Sequence, residues 1–97
     1  MLVLKGRKVQ KTVAPETGLT ILDIAIRYEV DWGFSCTRGS CARCRCFVSK
    51  GMELLKAPTE AEEIRLEPEE LEQGFRLGCQ AVIREVGQIT VTHKPYF

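Results

Sequence analysis

The sequence predicts a small α+β domain, a mixed sheet packed on one main helix. Three observations support this. Short β-type runs open and close the chain, one helical stretch lies between them, and Gly, Pro and Thr punctuate the rest at turn and cap positions. Ninety-seven residues suit one hydrophobic core, so residues 1–97 are expected to form a single domain.

The elements follow in order. Leu2-Val3-Leu4 and Val9 to Val13 flank Lys5-Gly6-Arg7-Lys8, the pattern of a hairpin. Thr20 can cap a helix whose N-terminal dipole Asp23 complements. Ile21, Leu22, Ala25, Ile26 and Tyr28 fall on one stripe, so residues 20–29 are expected to be a packed helix. From Val30 to Ala42 there is no helical or strand period, and Gly33 and Gly39 interrupt the run, as in a loop. Cys44 to Ser49 is β-like and stops at Gly51. Thr59 and Glu62 form a capping-box pair opening a helix of about residues 60–66. Pro68 begins another turn, which Gly74 ends. Phe75 to Arg84 and Gln88 to Thr92 are expected to be the closing strands. The order ββαβ(α)ββ is that of a β-grasp arrangement.

Apolar content of 44% and charge content of 28% belong to an ordinary globular protein. No apolar run approaches the ~20 residues needed to cross a bilayer, so no membrane insertion is expected. The N-terminus has neither the charged and apolar regions nor the cleavage site of a signal peptide, which predicts a cytoplasmic, reducing location. There, five cysteines are poor disulfide candidates, and their odd number agrees. Residues 53–72 hold eight Glu against Lys56 and Arg65, a local charge of −6, while residues 33–52 carry Arg38, Arg43, Arg45 and Lys50 and no acid. Such clusters are commonly solvated faces; here they would also make a bipolar surface able to orient a charged partner. There is no Gly-rich phosphate cradle, no Ser/His/Asp set and no basic-aromatic pattern for nucleic acid.

The chemistry is concentrated in the cysteines. Cys36, Cys41 and Cys44 stand in a C-x4-C-x2-C array, and Cys79 can close the set from a distant strand. That order is the spacing of a plant-type 2Fe–2S cluster, which points to one-electron transfer and to no bond-making chemistry. Gly39 permits close backbone approach between the first two ligands, and Ser40 is small and adds a hydroxyl donor. Arg38 and Arg43 would offset the anionic cluster and favour its reduced state. A structural zinc site from the same four thiolates is the main alternative, making the domain a β-grasp binding module; zinc modules, however, usually present two C-x2-C pairs. Another alternative keeps the cluster but makes the chain a sensor or a subunit of a larger redox enzyme.

Cys46 follows Cys44 by two, so a strand would turn both to one face, and a buried core role is preferred for it over ligation. His93 could replace a cysteine ligand, but four cysteines already account for the site, and it is expected to be a surface histidine. Trp32 and Phe34, just before the loop, suit a hydrophobic cover that excludes water.

The segment Cys36-Thr37-Arg38-Gly39-Ser40-Cys41-Ala42-Arg43-Cys44 resembles the loop of plant and cyanobacterial 2Fe–2S ferredoxins, and Arg76-Leu77-Gly78-Cys79-Gln80 resembles the closing segment of the adrenodoxin-like branch. The 34 residues between Cys44 and Cys79 are intermediate between the two branches. The resemblance implies a β-grasp fold holding one 2Fe–2S cluster, with Cys36 and Cys41 on the outer iron and Cys44 and Cys79 on the inner. It also implies a monomeric electron carrier, not an enzyme, working between a flavoprotein reductase and an acceptor such as an oxygenase. Family members dock through acidic residues; the candidates here are Glu60, Glu62, Glu63, Glu67, Glu69 and Glu70.

Overall fold

The computed structural model of the chain describes residues 1–32 and 44–94. Strands β1 (Leu2–Lys5) and β2 (Gln10–Val13) form the expected antiparallel hairpin, with Leu2 opposite Val13 and Lys5 opposite Gln10. The Gly6 amide donates to the Val9 carbonyl at 2.8 Å to close its turn. Asp31, beyond the main helix, accepts from the Lys8 and Val9 amides at 2.7 and 3.2 Å. A Cβ on Gly6 would lie 2.1 Å from the Asp31 carboxylate, so glycine is what lets the two segments meet. Desolvation works against the Asp31 charge, but the amides of Lys8 and Val9 outweigh it and hold the carboxyl below its ordinary pKa.

Helix α1 (Ile21–Arg27) starts with a reciprocal capping box. The Thr20 hydroxyl accepts from the Asp23 amide at 3.0 Å, and the Asp23 carboxylate accepts from the Thr20 amide at 3.1 Å. Its buried face is Ile21, Leu22, Ile24 and Ala25. The expected stripe is corrected here, because Ile24 faces the sheet while Ile26 is 48% exposed. Glu29 leaves the helix with φ of 57°, the left-handed conformation that glycine adopts at least cost, and turns the chain so that the Val30 amide donates to the Ala25 carbonyl.

Strands β3 (Arg45–Lys50), β4 (Phe75–Leu77) and β5 (Ile89–His93) complete a five-stranded sheet of order β2-β1-β5-β3-β4. The β1–β5 pair is parallel and the others antiparallel, as a β-grasp requires. Leu2 and Leu4 from β1 and Ile89 and Val91 from β5 are fully buried in one cluster with α1. Each such side chain contributes about 1.5–3 kcal/mol relative to an exposed one. A 3-10 turn (Met52–Leu54) and two short helices, α2 (Glu60–Arg65) and α3 (Pro68–Gln73), fill the connection from β3 to β4. Gly74 ends α3 with φ of 109°.

The closing strand expected over residues 75–84 ends at Leu77. The amides of Gln80 and Ala81 both turn back to the Leu77 carbonyl at 2.9 Å. The carbonyls of Gly78 and Ala81 accept instead from the Leu22 and Ile21 amides, two donors at the start of α1 that have no partner within the helix. Pairing to the helix N-terminus replaces pairing to a neighbouring strand, and only the isolated bridges Thr20–Val82 and Leu55–Ile83 remain.

Glu62 departs furthest from its expected place. It closes the α2 capping box with Thr59, as the sequence indicates, but its side chain is fully buried and accepts from Arg76 Nε at 2.6 Å, Arg76 Nη2 at 2.9 Å and the Leu77 amide at 3.0 Å. It is a structural anchor between α2 and β4 and is removed from the acidic docking set. Removing one partner of a buried ion pair leaves an uncompensated charge, so Glu62→Ala should cost about 3–5 kcal/mol. Thermal unfolding followed by circular dichroism should show a midpoint lower by more than about 10 °C. A shift under about 2 °C would mean that Arg76 is satisfied without Glu62.

Candidate metal centre

Of the four proposed ligands, the structure describes Cys44 and Cys79 and brings them together. Cys44 sits in a turn immediately before β3, and Cys79 sits in the turn after β4, the strand paired with β3. The Gly78 amide donates to the Cys44 carbonyl at 3.0 Å, and the Cys79 amide reaches Cys44 Sγ at 3.4 Å. The Gly78 carbonyl is at the same time held by the Leu22 amide of α1. The distant cysteine is thus fixed by backbone bonds on both sides of its predecessor. A Cβ on Gly78 would lie 3.0 Å from Trp32 Nε1 and 3.1 Å from the Cys44 carbonyl oxygen, so this close approach depends on glycine.

Trp32 covers the same spot. It is 5% exposed, and its indole N–H donates to the Cys44 carbonyl at 3.2 Å. Its ring stacks on His93 at a centroid distance of 5.1 Å, tilted by 47°. His93 is therefore buried, not the surface residue expected. Ile89, Val91 and His93 alternate onto the inner face of β5, and the position follows from that alternation. The burial of Trp32 is what a hydrophobic cover requires.

The two sulfurs are a demanding pair to ionise together without a cation. The side-chain hydrogen bond with Cys79, and then burial, push the Cys44 pKa far above the ordinary thiol range. Two neighbouring thiolates, with the Cys79 amide donating to one of them and little water, call for a soft cation, and thiolates select iron–sulfur, zinc or Cu(I). The donor set fits the expected cluster. Cys46 is arranged differently. It is buried opposite Arg76 in the sheet register, and its thiol donates to the Arg76 carbonyl at 3.4 Å. Burial first, and then the Glu62 charge, push its pKa up to about 12.

Two contacts at the centre escape sequence reasoning. Gln80 Nε2 donates to Cys79 Sγ at 3.7 Å, and the Thr59 hydroxyl donates to Gln80 Oε1 at 3.1 Å. Thr59 was legible only as a helix cap, since nothing in spacing shows that its hydroxyl also faces residue 80. Arg45, read as part of a basic run, is engaged with Glu70 at 3.2 Å and lies 4.1 Å over the Phe75 ring. Cys36, Arg38, Gly39, Ser40, Cys41 and Arg43, together with Phe34, fall within residues 33–43, outside the described residues.

The family model of the 2Fe-2S iron-sulfur cluster binding domain matches residues 4–84. The vegetative ferredoxin of Trichormus variabilis is 30% identical over 95 residues, covering 98% of this chain and 91% of its own length. The crystal structure of the ISC-like 2Fe-2S ferredoxin from Pseudomonas putida superposes with a TM-score of 0.78 at 27% identity, over 99% of this chain and 94% of that one. A longer relative, the ferredoxin reductase component of 3-ketosteroid-9-alpha-monooxygenase from Rhodococcus rhodochrous, is 39% identical over 62 residues; the match covers 64% of this chain and 16% of that protein. These likenesses replace the zinc-held module considered from the cysteines alone. Together with the buried thiol pair between the start of β3 and the end of β4, they show that the chain belongs to the 2Fe-2S ferredoxin family, binding one 2Fe–2S cluster and carrying electrons rather than catalysing a reaction.

Proposed function

We propose that Cys36, Cys41, Cys44 and Cys79 are the four cluster ligands, with Cys44 and Cys79 sharing the inner iron and Cys36 and Cys41 the outer. The contact of the Cys79 amide with Cys44 Sγ carries this proposal, because it brings together two cysteines that stand 35 positions apart in sequence. Cys46 is excluded by its own hydrogen bond to Arg76 and by its place within the sheet. Arg38, Gly39, Ser40 and Arg43 are the supporting loop residues. When bound, the cluster supplies a site that gains and loses one electron. The chain's part is to hold that site dry behind Trp32 and to present it to partners.

Those partners are a flavoprotein reductase as donor and an acceptor enzyme of the oxygenase type. The relative named as a ferredoxin reductase component of a monooxygenase supports this class. The protein is, on the same reading, a cytoplasmic, single-domain monomer. Among the described residues no helix is long and apolar enough to cross a membrane. The docking face is the acidic surface of α2 and α3. Glu62 is buried and Glu70 is paired with Arg45, leaving Glu60, Glu63, Glu67 and Glu69 as the exposed members of the expected docking set.

The ligand set is tested by visible absorption of anaerobically purified protein, before and after dithionite. Bands between roughly 330 and 550 nm that bleach by about half are expected of the native protein. Cys44→Ser and Cys79→Ser should lose or alter them, and Cys46→Ser should keep them. Loss of the chromophore in Cys46→Ser would reverse the assignment. The docking face is tested by reversing Glu60, Glu63, Glu67 and Glu69 to Lys. Reduction by the reductase should slow by about tenfold or more at low salt, with a flatter ionic-strength dependence. An unchanged rate would remove this face from the interface.

A further inference from the structure

The Cys79 sulfur has a polar neighbour that no step above uses. Gln80 Nε2 lies 3.7 Å from Cys79 Sγ, within the longer range of an N–H donor to sulfur. A primary amide can turn either its NH2 or its oxygen toward a neighbour, and the two orientations have opposite electrostatic effects on a thiolate. Here the amide turns its oxygen to Thr59, whose hydroxyl is 3.1 Å from Gln80 Oε1, and its NH2 to the sulfur. Oε1 is an acceptor only, so the hydroxyl proton must point to it. The oxygen lone pairs of Thr59 stay available for the Glu62 amide, which reaches them at 3.3 Å in the capping box. Thr59 itself is held by its own amide donating to Glu62 Oε1 at 3.1 Å, and Glu62 is locked by Arg76. The result is a directed chain of donors from Thr59 Oγ1 through the Gln80 amide to Cys79 Sγ.

We propose that Gln80, oriented by Thr59, is a positioning residue that raises the reduction potential of the cluster by hydrogen-bonding the Cys79 sulfur. The proposal rests on Cys79 being a ligand. One electron entering the cluster adds one negative charge, part of which resides on the ligand sulfurs. A donor aimed at Cys79 Sγ stabilises that reduced form more than the oxidised one, and hydrogen bonds to sulfur are among the terms that set cluster potentials. An amide free to turn would hold its NH2 over the sulfur for only part of the time, so the hydroxyl of Thr59, by holding Oε1, strengthens the effect of the Gln80 NH2.

The test is a mediated redox titration of the cluster-loaded protein under anaerobic conditions, with the reduced fraction read from the bleaching of the visible bands. At the native midpoint, Gln80→Leu should lower the ratio of reduced to oxidised protein by about tenfold, equivalent to about 59 mV for one electron. Thr59→Val should lower it by a smaller factor in the same direction. Thr59→Ser, which keeps the hydroxyl, should restore the native value. A merely structural role in capping α2 would not produce this ordering of potentials. Native potentials in both Gln80→Leu and Thr59→Val, with full cluster occupancy, would overturn the proposal. So would loss of the cluster from both variants, since the contacts would then serve folding. Cys79→Ser separates the two levels: an unaltered spectrum in that variant would mean that the ligand assignment has failed, whereas an altered spectrum together with a native potential in Gln80→Leu would mean that only the donor chain has failed.

Discussion

Glu62 accepts four hydrogen bonds inside the protein, two from the Arg76 guanidinium and one each from the Leu77 and Thr59 amides. A carboxylate offers about four lone-pair sites, so its capacity is used in full. A charge taken out of water is tolerated only on such terms, because its desolvation costs several kcal/mol unless an opposite charge and further donors replace the solvent. The consequence is geometric. One side chain joins the start of α2, where it caps the helix, to the end of β4, where the chain turns toward Cys79. Displacing Glu62 would free both at once.

The described part of the centre is built outward from that anchor. Strand β4 is only three residues long, too short to hold its own register firmly, yet the residues just beyond it must place a ligand sulfur. Backbone bonds make up the difference. Gly78 donates to the Cys44 carbonyl and accepts from Leu22, so the turn carrying Cys79 is fastened to the strand that follows Cys44 and to the main helix together. Trp32 donates to the same Cys44 carbonyl and brings the segment entering the loop into the same network. Asp31, one residue earlier, is fastened to the β1–β2 turn. The two described cysteines therefore lie at the junction of segments far apart in sequence, and the site cannot form until the sheet and α1 have packed.

The same packing redraws the charge pattern. The acidic stretch contains eight Glu and invites reading as a uniformly charged face. Two of its members are consumed internally, Glu62 by Arg76 and Glu70 by Arg45. What remains facing solvent on α2 and α3 is a smaller and more defined acidic surface. Ile64, 78% exposed, lies among those charges as an apolar point that the pairing scheme does not use.

Much of this was present in the sequence because it depends on local rules. The hairpin around Gly6, the Thr20 cap, the Thr59–Glu62 capping box, the glycine stop after α3 and the cysteine spacing are each set by a few neighbouring residues and their backbone preferences. The cofactor class follows from the ligand spacing in the same way. The rest is a property of pairs distant along the chain. Whether Glu62 faces water or Arg76, whether residues 78–84 pair with a strand or with the start of α1, and whether His93 is outside or stacked on Trp32 all depend on which segments become neighbours. So does the second role of Thr59, because a hydroxyl that caps its own helix can donate to Gln80 only once the fold has brought residue 80 beside it. Local sequence determined the elements and the chemistry of the thiolates; tertiary packing decided which polar groups lost water, and so which partners they had to take.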